Sequence, residues 1–159
     1  MNITIIAVGK LKEKYIKDAV GEYSKRLSRY CKLNIVEVQD EKTPDNASEG
    51  EEDIIKEKEG RRVLKYVNDN MYVVALDLNG TMMASEEFSK FIGDLGLSGK
   101  SNIAFIIGGS LGISSEVLKR SHYKLCFSKM TFPHQLFRIM LLEQIYRGFR
   151  IIKGEPYHK

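Results

Sequence analysis

Strands and helices alternate through the first third of the chain. Residues 2–8 and 32–38 are apolar runs rich in β-branched side chains, which predict two strands. Between them, residues 11–30 carry apolar side chains at helical spacing and predict a long amphipathic helix. Its predicted inward face comprises Tyr15, Ala19, Tyr23 and Leu27, and its outward face comprises Lys14, Lys17, Lys25, Arg26 and Arg29.

The next part of the chain is the most polar. Residues 40–50 contain Pro44 and Asn46 and predict a mobile loop that could become ordered on a partner. Residues 51–68 predict a charged helix whose acidic start and basic end complement the helix dipole. Gly60 lies in the middle of this helix, where glycine is expected to weaken or bend it.

A central strand and a glycine-rich turn follow. Residues 103–107 are apolar without polar alternation, which is typical of a parallel strand covered on both faces. This strand runs directly into Gly108–Gly112, and its carboxyl end is where open α/β sheets bind ligands. The carboxyl end of another buried strand, near Leu76 and Asp77, should lie beside this turn. The other predicted elements in this part are a strand over 71–78 ended by Asn79 and Gly80, a helix over 85–95, a helix over 114–121 and a strand over 123–127.

The last predicted helix is apolar on nearly its whole circumference. It spans residues 133–149, with Pro133 at the first helical position. Its apolar side chains are Leu136, Phe137, Ile139, Met140, Leu141, Leu142, Ile145, Tyr146 and Phe149. So much apolar surface predicts burial by the core on one side and by a second copy of the chain on the other, and therefore a homodimer. Residues 151–159 contain Gly154 and Pro156 and cannot continue a regular helix.

Together these elements predict an α/β fold with a mainly parallel sheet flanked by helices. At 159 residues the chain fits one domain, spanning 1–159, and its 43% hydrophobic content argues against disorder. With 25 basic and 21 acidic residues, the net charge of +4 permits a nucleic-acid partner without requiring one. No apolar stretch is long enough to span a membrane, so we expect a cytoplasmic protein without a membrane partner.

Several common chemistries do not fit the motifs. The turn after residue 107 lacks both the dinucleotide-binding and the phosphate-loop spacing. His122, His134 and His158 have no partners at ligand spacing, so no metal site is expected. Cys31 and Cys126 form no C-x-x-C pair and are predicted to be reduced, packed thiols.

Polar side chains on and after the last helix are the candidate substrate-binding groups. His134 and Arg138 share one face near the positive end of the helix, where an anion or an RNA phosphate would be well placed. A histidine that merely caps a packed helix would give the same pattern. Glu143 and Arg147 have the same spacing and fit an ordinary surface or interfacial pair. The terminal Tyr157, His158 and Lys159 have the composition that stacks on a base and holds a phosphate, although chain ends usually fray.

An ordered set of motifs resembles one family from end to end. The set comprises Val8-Gly9-Lys10, Leu76-Asp77, Ile107-Gly108-Gly109-Ser110-Leu111-Gly112, Ser128-Lys129-Met130-Thr131-Phe132-Pro133-His134-Gln135 and Tyr157-His158. The chain thus resembles the RlmH family of the SPOUT superfamily, which methylates pseudouridine in large-subunit ribosomal RNA. One departure is Lys159, where family members commonly carry arginine. Lysine keeps the charge but cannot bind phosphate in a bidentate manner.

The resemblance implies a fold, a cofactor and a substrate. It implies a SPOUT fold with a carboxyl-terminal trefoil knot, and a homodimer that binds S-adenosylmethionine (SAM) as methyl donor. By matching position, the cofactor-binding residues would be Leu76, Gly108, Gly109, Phe127, Ser128, Lys129, Met130, Thr131 and Phe132. The implied reaction is methylation of N3 of a pseudouridine in helix 69 of 23S rRNA, on assembled ribosomes and without a metal.

Four residues are candidates for catalytic roles. We expect His134 and Arg138 to steer substrate phosphates or base carbonyls, while the tail of the partner subunit closes Tyr157 and His158 over the target nucleotide. His158 is the first candidate for assisting proton removal, because the ordinary pKa of histidine is close to neutrality. The alternatives are a non-catalytic ribosome- or RNA-binding factor and a SPOUT methyltransferase that acts on tRNA.

Overall fold

A computed structural model describes residues 1–159 as five strands and five helices in strict alternation. The elements are β1 (Asn2–Val8), α1 (Lys14–Leu27), β2 (Lys32–Val38), α2 (Glu49–Leu64), β3 (Tyr72–Met82), α3 (Ser85–Leu97), β4 (Asn102–Ile107), α4 (Ser115–Arg120), β5 (Tyr123–Cys126) and α5 (His134–Ile152). Every strand predicted from the sequence is present, and so is every predicted helix. No helix is both long and apolar enough to cross a membrane.

The five strands form one sheet in the order β2-β1-β4-β3-β5, and all neighbours are parallel. This confirms the α/β prediction. β4 is central, and its residues 103–107 are all buried, as expected for an apolar strand without polar alternation. Because all strands run in the same direction, the loops that follow them meet at one edge of the sheet, which is called the carboxyl edge below. The knot stays a prediction.

Helices cover both faces of the sheet. A core of 19 buried residues lies between one face and α1, α3 and α5, and it contains Phe105 of β4 and Leu141 of α5. A smaller core of nine buried residues lies between the other face and α2 and α4, and it contains Ile106 of β4. Successive residues of β4 point to opposite cores, since side chains alternate along a strand.

The inward face of α1 differs from the prediction. Tyr15 is 67% exposed, and the buried residues of α1 are Ile16, Val20 and Leu27. The helix begins at Lys14 rather than at Leu11, and this shorter helix places Ile16 rather than Tyr15 toward the sheet. Aliphatic side chains therefore make most of this contact.

The predicted start of α2, at residue 51, was wrong. The helix begins at Glu49, because Ser48 caps it: the Ser48 hydroxyl accepts the Glu51 N–H at 3.2 Å, and Glu51 accepts the Ser48 N–H in return. Gly60 does not interrupt the helix. A Cβ atom at Gly60 would lie 2.3 Å from Oγ of Ser114, which is the N-cap residue of α4. Glycine at this position therefore lets the two helices approach closely.

Asn79 and Gly80 do not end the third strand. Leu76 and Thr81 are both opposite Leu125 of β5, so the four residues between them bulge out of the β3–β5 pairing. The strand then continues to Met82. A turn pair in the sequence therefore marks an irregularity within a strand here, because β5 pairs with β3 on both sides of it.

The last helix is longer than predicted and starts one residue later. It spans His134–Ile152, and Pro133 is its N-cap rather than its first helical residue. Leu141, Leu142 and Ile145 are fully buried against the sheet, whereas Phe137, Ile139 and Met140 are half-buried in the single chain. The sheet thus buries one face of the helix, as predicted. Burial of the other face by a second copy of the chain stays a prediction.

Candidate functional site

Three of the predicted cofactor-binding segments lie together at the carboxyl edge. Leu76 lies near the end of the regular part of β3, Gly108 directly follows β4, and Phe127 directly follows β5. β4, β3 and β5 are neighbours in the sheet, so the three segments are brought side by side. The expectation that the end of β3 lies beside the glycine turn is confirmed.

The sheet opens between β3 and β4 at this point. The pairing of the two strands ends with Ala75 opposite Ile106, one residue before Leu76 and two before Gly108. Beyond this pair, Leu76 faces β5 alone. The backbone groups of Leu76 and Gly108 that point toward the opening are therefore not used by β3–β4 pairing and are suited to hydrogen-bond a ligand.

The glycine turn is tight. Gly109 and Gly112 form an isolated antiparallel bridge, with the Gly112 N–H donating to the Gly109 carbonyl at 3.1 Å. A Cβ atom at Gly108 would lie 2.8 Å from the backbone of Gly112. Even alanine at position 108 would therefore force the turn to shift, so glycine is needed there for the shape of the turn itself.

Aromatic contacts hold the loop between β5 and α5. The rings of Phe127 and Phe132 both pack edge-on against Phe137, with centroid distances of 6.0 and 5.8 Å. The Met130 N–H donates to the Ser128 hydroxyl at 3.0 Å, while the Met130 side chain is 72% exposed. Both ends of the loop are thus fixed to α5. Lys129, Met130 and Thr131 between them are exposed.

A cavity of about 360 Å³ adjoins this loop. It is lined mainly by apolar residues, namely Met83, Ala84, Ser85, Phe88, Leu125, Cys126, Phe127, Met140, Glu143 and Gln144. Of the predicted cofactor residues, only Phe127 lines it. The cavity is large enough for part of a small ligand, and it connects the β5–α5 loop to the middle of α5.

The residues at the opening suit a nucleoside-type cofactor such as the one implied by the resemblance. Leu76, Phe127 and Phe132 offer apolar surface for a flat base, and the glycine turn offers backbone groups without side chains in the way. None of the nine predicted cofactor residues is acidic, and only Lys129 carries a charge. These residues would therefore bind such a cofactor through the shape of the opening and through backbone hydrogen bonds, rather than through charge.

Arg138 differs most from its expected role. Its side chain is 1% exposed and forms an ion pair with Glu37 of β2 and a hydrogen bond to the Gly9 carbonyl. Its Nε atom is buried without a partner. A guanidinium enclosed in this way has no surface left for a substrate phosphate. The expectation that Arg138 steers phosphates directly is therefore corrected: its contacts hold β1, β2 and α5 together.

His134 lies one helical turn before Arg138, at the start of α5. It is half-buried, and its Nε2 atom lies 3.6 Å from where a Cβ atom of Gly9 would be. Burial and the nearby Arg138 charge lower the pKa of His134, although Asp40 partly opposes them. The imidazole is therefore neutral at physiological pH, so it offers hydrogen bonds rather than a positive charge to a ligand.

The carboxyl-terminal tail is ordered against its own chain. The Tyr157 hydroxyl donates to Glu143 at 2.9 Å, and the Arg147 guanidinium lies 4.7 Å from the centre of the Tyr157 ring. Nδ1 of His158 lies 3.1 Å from Arg147, and its Nε2 lies 2.7 Å from Glu86 at the start of α3. Burial, and then the hydrogen bond to Glu143, raise the pKa of Tyr157.

Glu143 and Arg147 are more than an ordinary surface pair. They form a half-buried ion pair at 2.7 Å, and both also contact the tail. Glu143 lines the cavity beside the β5–α5 loop as well. The pair therefore connects that cavity to Tyr157 and His158.

Sequence reasoning missed Glu37 and Glu59. Glu37 lies in a strand that was assigned by its apolar residues, and it is 101 positions from its partner Arg138. Glu59 is 5% exposed and accepts the Glu41 N–H at 3.0 Å, in a helix that looked like a solvated charged surface. Burial raises the pKa of Glu59. Neither residue has a local sequence signal that would distinguish it from a surface glutamate.

The comparisons with known proteins agree with this geometry. Residues 1–158 match a family model described as "Predicted SPOUT methyltransferase". A curated protein of Clostridium kluyveri named ribosomal RNA large subunit methyltransferase H is 88% identical over all 159 residues, which cover 100% of both chains. A protein of the same name from Clostridium tetani is 76% identical over the same full length.

Solved structures share the fold at low sequence identity. A protein of Haemophilus influenzae described as a "probable methylase family protein" has a TM-score of 0.51 and 13% identity, over 96% of this chain and 66% of its own. A protein of Legionella pneumophila solved in complex with SAM has a TM-score of 0.50 and 9% identity, with the same coverage. The chain spans about two thirds of these structures, and at such identities they show the fold alone.

Proposed function

This chain belongs to the SPOUT methyltransferase family, and from that premise we propose that it transfers a methyl group from SAM to large-subunit ribosomal RNA. More specifically, the acceptor is N3 of a pseudouridine in helix 69 of 23S rRNA, within assembled ribosomes. The observation that carries the proposal is the full-length match, at 88% identity, to a curated rRNA methyltransferase, together with the opening between β3 and β4.

The proposed cofactor site is the opening at the carboxyl edge. Backbone groups of Leu76 and Gly108 hold the cofactor from the strands, and the loop Phe127–Phe132 closes over it from α5. When bound, SAM supplies a methyl group that is activated by its sulfonium charge. This chain then has to expose the base, align N3 in line with the methyl carbon and assist the departure of the N3 proton.

His158 is the residue to which we assign assistance of proton removal. Arg147 can only donate, so Nδ1 of His158 accepts from it, and the ring proton is on Nε2, where it is donated to Glu86. A carboxylate on the far nitrogen orients an imidazole and stabilises it after it takes a proton. Nδ1 becomes available to the substrate once Arg147 moves aside.

A homodimer is part of the proposal. Phe137, Ile139 and Met140 of α5 are half-buried in the single chain, and a second copy would cover them. In such a dimer, the tail that carries Tyr157 and His158 closes over the target nucleotide in the partner's site, while His158 keeps Glu86 on its far nitrogen. His134 remains a candidate for contacting the base, through neutral hydrogen bonds.

Calorimetric titration with SAM tests the cofactor site. We expect the wild-type protein to bind SAM and Gly108→Ala to bind it at least tenfold more weakly, because the new Cβ would displace the glycine turn. Gly21→Ala on α1 is the matched control, since nothing lies within 4 Å of a Cβ atom there. If the wild-type protein does not bind SAM, the proposed methyltransferase activity is wrong, and the alternative of a non-catalytic ribosome- or RNA-binding factor is supported.

Methylation assays test the substrate. We expect methyl transfer to ribosomes that carry the pseudouridine, and none to ribosomes whose helix 69 carries uridine or to free tRNA. Methylation of tRNA instead would support the alternative that the chain is a SPOUT methyltransferase acting on tRNA. His158→Ala should lower the single-turnover rate with saturating SAM, with the largest loss near neutral pH. The loss should shrink at low pH, where an imidazole already carries a proton and cannot accept another, and at high pH, where N3 loses its proton without help. A rate that is unchanged from pH 6 to 9 would remove His158 from the proton step.

A further inference from the structure

The turn that follows β1 is held in place mainly by polar groups, together with Leu11, which packs against the larger core. Gly9 is buried with a φ of +95°, a conformation that favours glycine, and Lys10 and Lys12 beyond it are exposed. The turn lies at the carboxyl edge, next to the glycine turn, because β1 is the neighbour of β4. Leu11 is its single apolar side chain and is half-buried.

Four hydrogen bonds fasten this turn. The Gly9 N–H donates to the Val38 carbonyl at 2.8 Å, and the Leu11 N–H donates to Oε2 of Glu37 at 2.8 Å. The Lys12 N–H donates to the Gln135 side chain at 3.3 Å. Arg138 donates to the Gly9 carbonyl. Partners on β2 and on the start of α5 thus define the path of the backbone on either side of Lys10.

The Glu37–Arg138 pair is the centre of this arrangement. Glu37 accepts from both Arg138 and the Leu11 N–H, while Arg138 bonds both Glu37 and Gly9. Burial alone would raise the pKa of Glu37, but the hydrogen bonds from Arg138 and Leu11 lower it below its ordinary value. Glu37 is therefore ionised at neutral pH and neutralises the buried guanidinium. An ion pair contributes little net stability over apolar packing, but it can fix one geometry.

The two lysines of the turn have no ion-pair partners. Neither Lys10 nor Lys12 forms a salt bridge, whereas Lys14 is paired with Asp18 at 2.7 Å. Glu37 is the acidic side chain nearest to the turn: it accepts the Leu11 N–H between the two lysines, and Lys10 helps to lower the pKa of its carboxylate, but it forms its ion pair with Arg138. Glu13 follows the turn in the chain and Asp40 lies beside Gly9, and both are exposed. A backbone that is fixed at Leu11 and Lys12 sets the positions from which the two lysine side chains extend, and Lys12 lies close enough to His134 to help lower the pKa of that imidazole.

We propose that Glu37 and Arg138 are positioning residues that fix the Gly9–Lys12 turn, and that Lys10 and Lys12 on this turn contact backbone phosphates of the RNA substrate. The second clause rests on the proposed function, because it takes RNA as the substrate. Lysines bind phosphate as point charges, and their contacts release counterions from RNA. Arg138 thus acts on the RNA through the turn and not by touching a phosphate.

RNA affinity across a salt series tests the lysines. The probe is a 23S rRNA fragment that contains helix 69, measured by filter binding with Lys10→Ala, Lys12→Ala and the double variant. We expect each single change to weaken binding roughly tenfold near 0.1 M salt and to reduce the slope of log affinity against log salt by about one. Lys65→Ala is the matched control, because Lys65 is exposed after α2 at the opposite edge of the sheet.

Amide hydrogen exchange tests the positioning residues. In Glu37→Gln the side chain can still accept from Leu11 but no longer pairs with Arg138 as an ion, so we expect the Leu11 and Lys12 amides to exchange faster. We also expect the KM for ribosomes to rise about tenfold while the affinity for SAM stays unchanged. If Glu37 had only a structural role, the variant would have a lower thermal midpoint and would bind both ribosomes and SAM more weakly. A double change, Glu37→Gln with Arg138→Met, covers the case in which the single variant does not fold.

Each outcome decides one part of the proposal. If the lysine variants bind RNA as well as Lys65→Ala does, the phosphate contacts are overturned. If exchange at Leu11 and Lys12 is unchanged in both Glu37 variants, the positioning role is overturned. Neither measurement needs methyl transfer, so a protein that binds RNA but does not bind SAM would refute the proposed function and leave this inference standing.

Discussion

The two ends of α5 hold their charges in different ways. At the start of the helix, Arg138 is 1% exposed, and its partners are Glu37 of β2 and Gly9 of the turn after β1, at the other end of the sequence. Near its end, Arg147 and Glu143 lie on the same helix, are 26% and 19% exposed, and share their contacts with the tail. The Arg138–Glu37 pair thus links α5 to β2, whereas the Arg147–Glu143 pair links α5 to the carboxyl-terminal tail.

This difference separates a fixed site from an adaptable one. A buried cation cannot leave its partner without a large desolvation cost, so the start of α5 keeps one geometry. Arg147 is 26% exposed, against 1% for Arg138, so water can partly replace a contact that Arg147 loses and its pair can exchange partners at a lower cost. The start of α5 therefore suits the positioning of a substrate, and the end of α5 suits a tail that must move to reach one.

Arg138→Met should have the largest effect on stability. It removes the cation and leaves the Glu37 carboxylate and the Gly9 carbonyl without their partner. We expect a loss of about 3 kcal/mol in the free energy of unfolding, at the lower end of the range for breaking a buried pair, because Glu37 is one third exposed. Urea unfolding measures it. If the free energy of unfolding fell by less than about 0.5 kcal/mol, as for an exposed ion pair, the start of α5 would be no more firmly held than its end.

A double-mutant cycle sharpens the same contrast. Glu37→Gln, Arg138→Met and their combination should give a coupling free energy of about 2 kcal/mol, because each single change leaves the other group unpaired. The same cycle with Glu143→Gln and Arg147→Met should give about 0.5 kcal/mol, as expected for a pair at helical spacing whose cation is in contact with water. Equal coupling in the two cycles would contradict the interpretation of a fixed and an adaptable end.

The two ends of α5 also show which features of the fold and of the site could be predicted from the sequence. Apolar runs such as residues 103–107 reveal their strand locally, and the family motifs locate the loops that follow the strands. Arg138 and Glu37 become partners through the order β2-β1-β4, which no local pattern contains. The spacing of His134 and Arg138 correctly placed both on one side of a helix, yet spacing cannot tell a buried face from an open one. The close approach of Ser114 to Gly60 is likewise absent from any local pattern, because Ser114 caps another helix.

Tyr157→Phe should have a smaller effect on stability and a clear effect on the tail. It removes the hydrogen bond to Glu143 but keeps the edge-on contact with Tyr146 at 5.0 Å. Because Tyr157 is partly exposed, we expect a loss of no more than about 1 kcal/mol in the free energy of unfolding. Limited proteolysis should remove the tail faster than in the wild-type protein. Unchanged proteolysis would show that the aromatic contact alone holds the tail.

Glu86→Gln should have the smallest effect, and its pH dependence supports the comparison. The backbone N–H of Glu86, and then His158, lower the pKa of this carboxylate. Its stabilising contribution is therefore present above the ordinary glutamate pKa of about 4.3 and is lost as the pH falls through the lowered value. Because the Glu86 side chain is 64% exposed, the variant should match the wild-type thermal midpoint at pH 7 within error. The pKa of Glu37 is also lowered, so Glu37→Gln should flatten the acid limb of the stability curve, whereas Glu86→Gln should leave it unchanged. If Glu86→Gln flattened the curve as much, the tail end of α5 would be as firmly held as its start.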